Sequence, residues 1–383
     1  MTRSRRTSSR FHVKHPPSAL SFLDDALRAL DAEGLLRPRA LPVDDDAPSF
    51  CSNDYLGLAR RPAPAACSGS GASRLISGER AIHRRVEEDV ASWLGCEAAL
   101  VFSSGYAANV GALSALARPG DLIVSDILNH ASIIDGARLS RADVVVTPHL
   151  DTEAVRRALT APRHGRAWVV TESYFSMDAD APDLRALREI CDEHGAALLV
   201  DEAHALGVLG PDGRGLCVEA AIVPDVWMGT FGKAFGAGGA FVGGSQSLVS
   251  WLWNRARSFV FSTGLSPVVA EAARAGLREA RERSDLRQAV LRSAAQLRGG
   301  LRELGVEAKG FGQIIPWIVG SPEGARQLAD ELLARGLRVA AVRPPSVPIG
   351  TSRLRLTVSA RHTPDDLARA LTTIAEALAC QAR

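Results

Sequence analysis

Val226-Trp-Met-Gly-Thr-Phe-Gly-Lys-Ala-Phe-Gly-Ala-Gly-Gly239 is an apolar run that opens into a glycine-rich loop around Lys233. The 383-residue chain carries 45 Lys+Arg, yet lysine stands only at positions 14, 233 and 309. Arginine supplies almost every other positive charge, so a lysine kept in this loop points to work that a guanidinium cannot do. An amine can lose its proton and attack a carbonyl, whereas arginine stays charged. Gly232, Gly236, Gly238 and Gly239 allow close backbone approach. The stretch therefore reads as a strand end opening onto a cofactor, with Lys233 as a Schiff-base lysine. A surface lysine spared by compositional drift is the alternative.

Working outward, short β-type runs recur at 98–102, 122–124, 144–147, 168–171, 197–200, 226–228 and 241–242. Helical spacing lies between most of them, at 107–116, 152–159 and 184–194, and an amphipathic helix over 79–94 stops at Gly95. This alternation predicts an α/β domain with a mainly parallel sheet, whose ligands sit beyond the carboxyl ends of the strands. Long helices over 266–304 lead to a smaller α+β unit, with strands at 314–319, 338–342 and 353–358 and helices at 324–335 and 364–379. The chain divides as a basic leader (1–17), a helical arm (18–50, with Leu20, Leu23, Leu27 and Leu30 at helical spacing), a large domain (51–265) and a C-terminal part (266–383).

Composition narrows the function classes. A net charge of +2 gives no reason to expect nucleic acid or a charged membrane surface. Six scattered cysteines, none in a Cys-x-x-Cys pair, predict free thiols in a reducing cytosol rather than a disulfide framework or zinc site. No apolar run reaches the ~20 residues of a membrane span. The basic stretch from Met1 to Lys14 has a transit-peptide composition, but equally that of a disordered leader or of a start placed too early.

Several strings could carry chemistry. Ala196–His204 runs a buried strand into Asp201 and His204. A carboxylate at a strand end can keep a pyridine nitrogen protonated; it can also simply cap the next turn. Ser103–Asn109 lies between a strand and a helix, where free N–H groups of small residues can meet a phosphate. His130, near a helix start, could stack on a flat ring. Glu172 and Ser176 sit at and beyond another strand end, where a cap and a turn are the bland readings. Arg353 and Arg355 alternate with apolar residues on one strand face, as a carboxylate grip or as two solvent-facing charges.

Together the strings SNDYLGL (52–58), SRLISG (73–78), SSGYAAN (103–109), NHASI (129–133), TESYFSMD (171–178), VDEAH (200–204) and TFGKAFG (230–236) resemble, in order, the α-oxoamine synthase family of fold-type I pyridoxal-phosphate enzymes. The match runs from about Ser52 to His362. The resemblance implies a large domain with a seven-stranded, mainly parallel sheet, a small C-terminal α+β domain, and decarboxylative condensation of an amino acid with an acyl thioester. The string from Val342 to His362 most resembles members that take L-alanine and a pimeloyl thioester, on coenzyme A or a carrier protein. By resemblance, Lys233 forms the Schiff base with pyridoxal 5'-phosphate, Asp201 pairs with its ring nitrogen, and His130 stacks on the ring. His204 and Ser176 lie near the ring oxygen, with Glu172 close by. Ser104, Gly105, Tyr106 and Thr230 hold the phosphate. Ser262 and Thr263 reach the phosphate of the neighbouring subunit in a homodimer. Arg353 grips the amino-acid carboxylate with help from Asn53, and Arg37 meets the acyl substrate.

Two departures from the family pattern bear on the site: the segment 59–70 is short, and Ala179 replaces a usual glycine, which implies strain or a shifted loop. The rival functions are glycine with a short acyl thioester, transamination without condensation, or a non-catalytic relative of the same fold.

Overall fold

The computed structural model describes residues 22–37 and 48–381. The leader, Leu20 and the 38–47 part of the arm lie outside the described residues.

Seven strands make the main sheet: β1 (Ala98–Phe102), β2 (Leu122–Asp126), β3 (Asp143–Thr147), β4 (Ala167–Glu172), β5 (Ala196–Asp201), β6 (Val226–Thr230) and β7 (Ala240–Gly244). Their spatial order is β1-β7-β6-β5-β4-β2-β3. Five of them, from β3 to β6, run parallel, and only β7 is antiparallel to its neighbours β1 and β6. The central strands read as unbroken apolar runs because both faces are covered. Leu199, Met228 and Val170 pack on one face against the helices Gly105–Leu116 and Ala131–Ser140. Leu198, Val200 and Trp227 pack on the other against Ala81–Leu94, Leu184–His194 and Pro267–Glu282.

A second sheet, β8 (Ile314–Gly320), β9 (Ala340–Val342) and β10 (Ser352–Thr357), is antiparallel with β10 in the centre. The segment 49–58 joins the two sheets. Phe50 and Ser52 accept hydrogen bonds from Thr357, and Tyr55 O accepts one from Ala360 N at 2.8 Å. A Cβ on Gly236 would fall 2.3 Å from Leu58 C and Ala59 N, so the lysine loop requires glycine where this strap passes.

Two expectations meet a physical complication. The N-terminal helix forms as Phe22–Ala32, but none of its residues is buried, so its apolar stripe faces outward in the single chain. Ala179 does adopt a left-handed conformation (φ 56°), and it is fully buried. Its N–H donates to Phe175 O and its carbonyl accepts from Phe311 N, both at 3.0 Å, so the turn is held from both ends despite the Cβ.

Candidate active site

The parallel strands end together, and their last residues are polar: Asp126, Glu172, Asp201 and Thr230. Glu172 pairs in register with Asp201, which pairs with Met228. Side chains alternate along a strand, so Glu172, Asp201 and Thr230 share one face of the sheet. Lys233 follows three residues after β6. Burial pushes its ammonium below the ordinary lysine range; the charges of Asp201 and Glu172 oppose this, and that of Arg355 adds to it. Burial, with repulsion from Asp201, pushes the Glu172 carboxyl up. The Asp201 carboxylate is oriented by two donors, Ala203 N to Oδ1 at 2.9 Å and Asn109 Nδ2 to Oδ2 at 2.8 Å.

His130 caps the helix Ala131–Ser140, its Nδ1 accepting from Ser132 N. It lines a cavity of about 370 Å³ that runs from Ile127 past Glu172 and Ser176 to the Pro345–Pro348 lip. Burial lowers its pKa. On the far side, burial and then the charges of Lys233 and Arg355 hold His204 well below the usual imidazole range, so the ring is neutral. Its Nδ1 lies 2.7 Å from the hydroxyl of Tyr55, a fully buried residue. A larger cavity of about 760 Å³ between Asp89 and Glu282 shares no lining residue with the first and is lined by neither lysine nor histidine.

The two arginines of β10 have different surroundings. Arg353 Nη1 donates to Asp178 Oδ1 at 2.6 Å and to Met177 O at 2.8 Å, and its other nitrogens reach Thr351. Arg355 donates to Ser176 O at 2.6 Å, Asn53 Oδ1 at 3.1 Å and the Tyr55 hydroxyl at 3.3 Å. All three acceptors are neutral. The buried charge of Arg355 thus has no carboxylate among these partners, whereas that of Arg353 is matched by Asp178. Arg353 was the arginine expected to grip the carboxylate, whereas the guanidinium that lies beside Asn53 and whose charge acts on Lys233 and His204 is that of Arg355.

Ser104 caps the helix Gly105–Leu116, its Oγ accepting from Ala107 N at 3.1 Å. The first intrahelical bond runs from Ala108 N to Ser104 O, so the amides of Gly105 and Tyr106 precede the ladder and can bind an anion. A Cβ on Gly105 would lie 3.8 Å from Thr230 Cβ, which puts the helix start beside Thr230. These groups fit pyridoxal 5'-phosphate: an amine of depressed pKa for the aldehyde, a fixed carboxylate for the ring nitrogen, an imidazole for the ring face, and a helix N-terminus with a hydroxyl for the phosphate.

A family model for aminotransferases of class I and II matches residues 46–374. The 8-amino-7-oxononanoate synthase of Mycolicibacterium smegmatis is 46% identical over 377 residues, covering 94% of this chain and 97% of the relative. The chain belongs to the 8-amino-7-oxononanoate synthase family. A solved member of that name, from Francisella tularensis, superposes with a TM-score of 0.76 at 26% identity, covering 89% of this chain and 100% of the other. A serine palmitoyltransferase from S. paucimobilis with a bound PLP–myriocin aldimine gives a TM-score of 0.88 at 28% identity, covering 96% of this chain and 99% of the other. Members of this family are pyridoxal-phosphate-dependent acyltransferases with the α/β fold described above, and so is this chain.

The remaining expected residues lie at the margins. Arg37 Nη2 donates to Ser346 Oγ at 3.4 Å, on the cavity lip. Arg343 holds that segment by donating to Gly34 O and Leu36 O. Ser262 and Thr263 sit in a turn fastened to residues 68–72, by Gly264 N to Ala72 O at 3.0 Å and Ser266 Oγ to Ser68 O at 2.6 Å. Asn109, Ser132 and Tyr55 all stand inside the quoted strings, but no sequence signal separated them from their neighbours.

Proposed function

We propose that this chain condenses L-alanine with a pimeloyl thioester, on coenzyme A or a carrier protein, to give 8-amino-7-oxononanoate, carbon dioxide and free thiol in biotin biosynthesis. The observation that carries the reading is the depressed-pKa Lys233 amine grouped with Asp201 and Arg355 at the strand ends, in a chain 46% identical to a synthase of that name. One carbon–carbon bond forms between the alanine α-carbon and the acyl carbonyl. The thioester carbon–sulfur bond and the bond to the alanine carboxylate break.

Bound pyridoxal 5'-phosphate supplies the electron sink that lets the α-carbon carry negative charge. Lys233 holds the aldehyde carbon and, as a free amine, takes the α-proton; base work of this kind is worth about 10²–10⁴ in rate. Asp201 keeps the ring nitrogen protonated. Arg355, assisted by Asn53, receives the alanine carboxylate and so aims the α-proton at Lys233. His204 is held neutral beside Tyr55 and donates toward the ring oxygen, together with Ser176. Gly105, Tyr106 and Thr230 take the phosphate, and Arg37 stands at the lip to meet the acyl chain. Ser262 and Thr263 serve the partner's phosphate in a homodimer, and the reaction runs in the cytoplasm.

A substrate panel read by free-thiol release tests the assignment. Alanine with pimeloyl-coenzyme A or the carrier-protein thioester is expected to exceed glycine with acetyl-coenzyme A by at least about tenfold in kcat/KM. Preference for the glycine pair, or wild-type turnover by Lys233→Ala, overturns it.

A further inference from the structure

Two buried side chains, Asn109 and Ser132, link Asp201, set against the cofactor's ring nitrogen, to His130, set against the ring face. Asn109 is fully buried and spends both amide hydrogens, one on Asp201 Oδ2 at 2.8 Å and one on Ser132 Oγ at 3.0 Å. Ser132, also fully buried, lies with its Oγ 2.7 Å from His130 Nδ1. Its backbone N–H donates to that same nitrogen at 3.2 Å. An amide hydrogen aimed at Nδ1 requires a lone pair there. Nδ1 is therefore unprotonated, Ser132 Oγ–H donates to it, and Ser132 Oγ in turn accepts from Asn109. The polarity of the whole chain is set by one fact, that an asparagine amide can only donate through nitrogen.

We propose that Asn109 and Ser132 are positioning residues, a relay that fixes the Asp201 carboxylate and locks His130 as the neutral Nε2–H tautomer. This rests on the reading that Asp201 and His130 face the cofactor. Each Asp201 oxygen is bound to one fixed donor, Ala203 N or Asn109 Nδ2, which leaves its other lone pairs for the ring nitrogen. A neutral imidazole stacks on a protonated pyridine without charge repulsion, which an imidazolium could not do. The relay thus ties the protonation of the stacking ring to the group that protonates the cofactor, through two side chains, Asn109 and Ser132, that are both fully buried.

The test is made on the full-length apoenzyme labelled with [15N]histidine, with His130 assigned by its loss in His130→Gln. Wild type is expected to show a pyridine-type Nδ1 and a pyrrole-type Nε2. Ser132→Ala keeps the backbone N–H donor but loses the hydroxyl, so Nδ1 is expected to stay pyridine-type with its resonance shifted by the lost hydrogen bond, and Ser132→Thr, which keeps the hydroxyl, to restore the wild-type position. Asn109→Leu is expected to weaken pyridoxal 5'-phosphate binding by roughly tenfold or more, the effect of one lost hydrogen bond to a charged group. Asn109→Ala serves the same purpose should the leucine variant not fold. A protonated Nδ1 in wild type, or an Nδ1 resonance unmoved in Ser132→Ala, overturns the His130 half. Wild-type cofactor affinity in the Asn109 variants overturns the Asp201 half. Borohydride labelling of Lys233 is independent of the tautomer result, so failure of the functional reading and failure of the relay are told apart.

Discussion

Two arginines two residues apart on one strand are chemically identical in sequence, and their neighbours in space make them different. Among the described residues, Arg353 meets Asp178, brought in by the loop after β4, whereas the partners of Arg355 are neutral oxygens of Ser176, Asn53 and Tyr55. A buried cation without a counter-charge is costly unless a ligand supplies one. Arg355→Lys is therefore expected to raise the KM for alanine about ten- to a hundredfold, because an ammonium cannot grip a carboxylate with two parallel bonds. Arg353→Gln is expected to leave that KM within about threefold while lowering stability by about 1–3 kcal/mol, since Asp178 then loses its partner. Steady-state kinetics and thermal unfolding on both variants check this, and the reverse pattern returns the carboxylate to Arg353. Lys233 was legible as a candidate because lysine is rare in this chain, and Asp201 and His204 because ionisable groups stood at and just beyond the end of an apolar strand. The choice between the arginines was not, because Asp178 lies 175 residues away along the chain.

The loops bearing His130 and Ser176 are joined at their base by a single imidazole. His149 Nδ1 lies 2.9 Å from Asp126 Oδ1 and its Nε2 lies 3.2 Å from Asp180 Oδ2. Asp126 also accepts from Leu128 N and Leu150 N, at 2.8 and 2.9 Å, and so organises the turn that leads to His130. Burial works against the imidazolium, but hydrogen bonds and charge from Asp126 and Asp180 outweigh it and raise the pKa to about 10. A folded pKa above the unfolded value of 6.5 means that the clamp contributes fully below pH 6.5 and is lost as pH rises through about 10. His149→Gln is expected to cost about 2 kcal/mol at pH 6, the worth of a charge-assisted contact at a partly exposed site. The gap to wild type is expected to narrow toward pH 10, as urea unfolding at a series of pH values will show; a gap constant with pH removes the clamp. Element boundaries came through well where the apolar period was clean, as in Leu184–His194. The run at 144–147 was legible as a strand, but not as the edge strand β3 on which Val144, Val145 and Val146 are exposed. A strand's place in the sheet order depends on pairings distant in sequence, which a local pattern does not encode.

At the scale of the molecule, the single chain leaves apolar surface that a monomer would be expected to bury. Phe261 and Ile76 are 73% and 81% exposed, and both lie on segments tied together by the bond from Gly264 N to Ala72 O. The helix Phe22–Ala32 turns Phe22, Leu23, Leu27 and Leu30 outward at helical spacing. Amphipathic spacing was legible in the sequence; the side that receives it was not, because periodicity reports that a face is buried and says nothing of which chain buries it. Exposed apolar residues of this kind mark an interaction surface, and Ser262 and Thr263 directly follow Phe261, so a second copy that covered Phe261 would bring those hydroxyls toward the partner's site. Wild type is expected to sediment as a dimer at micromolar concentration. The double variant Ile76→Asp, Phe261→Asp buries two charges in that contact and is expected to shift the dissociation constant upward by at least about a hundredfold, the effect of some 2–3 kcal/mol of lost contact. If Ser262 and Thr263 complete the opposite site, cofactor affinity falls in the same concentration range in which the dimer dissociates. A monomeric wild type with full cofactor binding would sink the shared-site arrangement, whereas coincident loss of dimer and cofactor ties the exposed apolar surface to the phosphate site across the two chains.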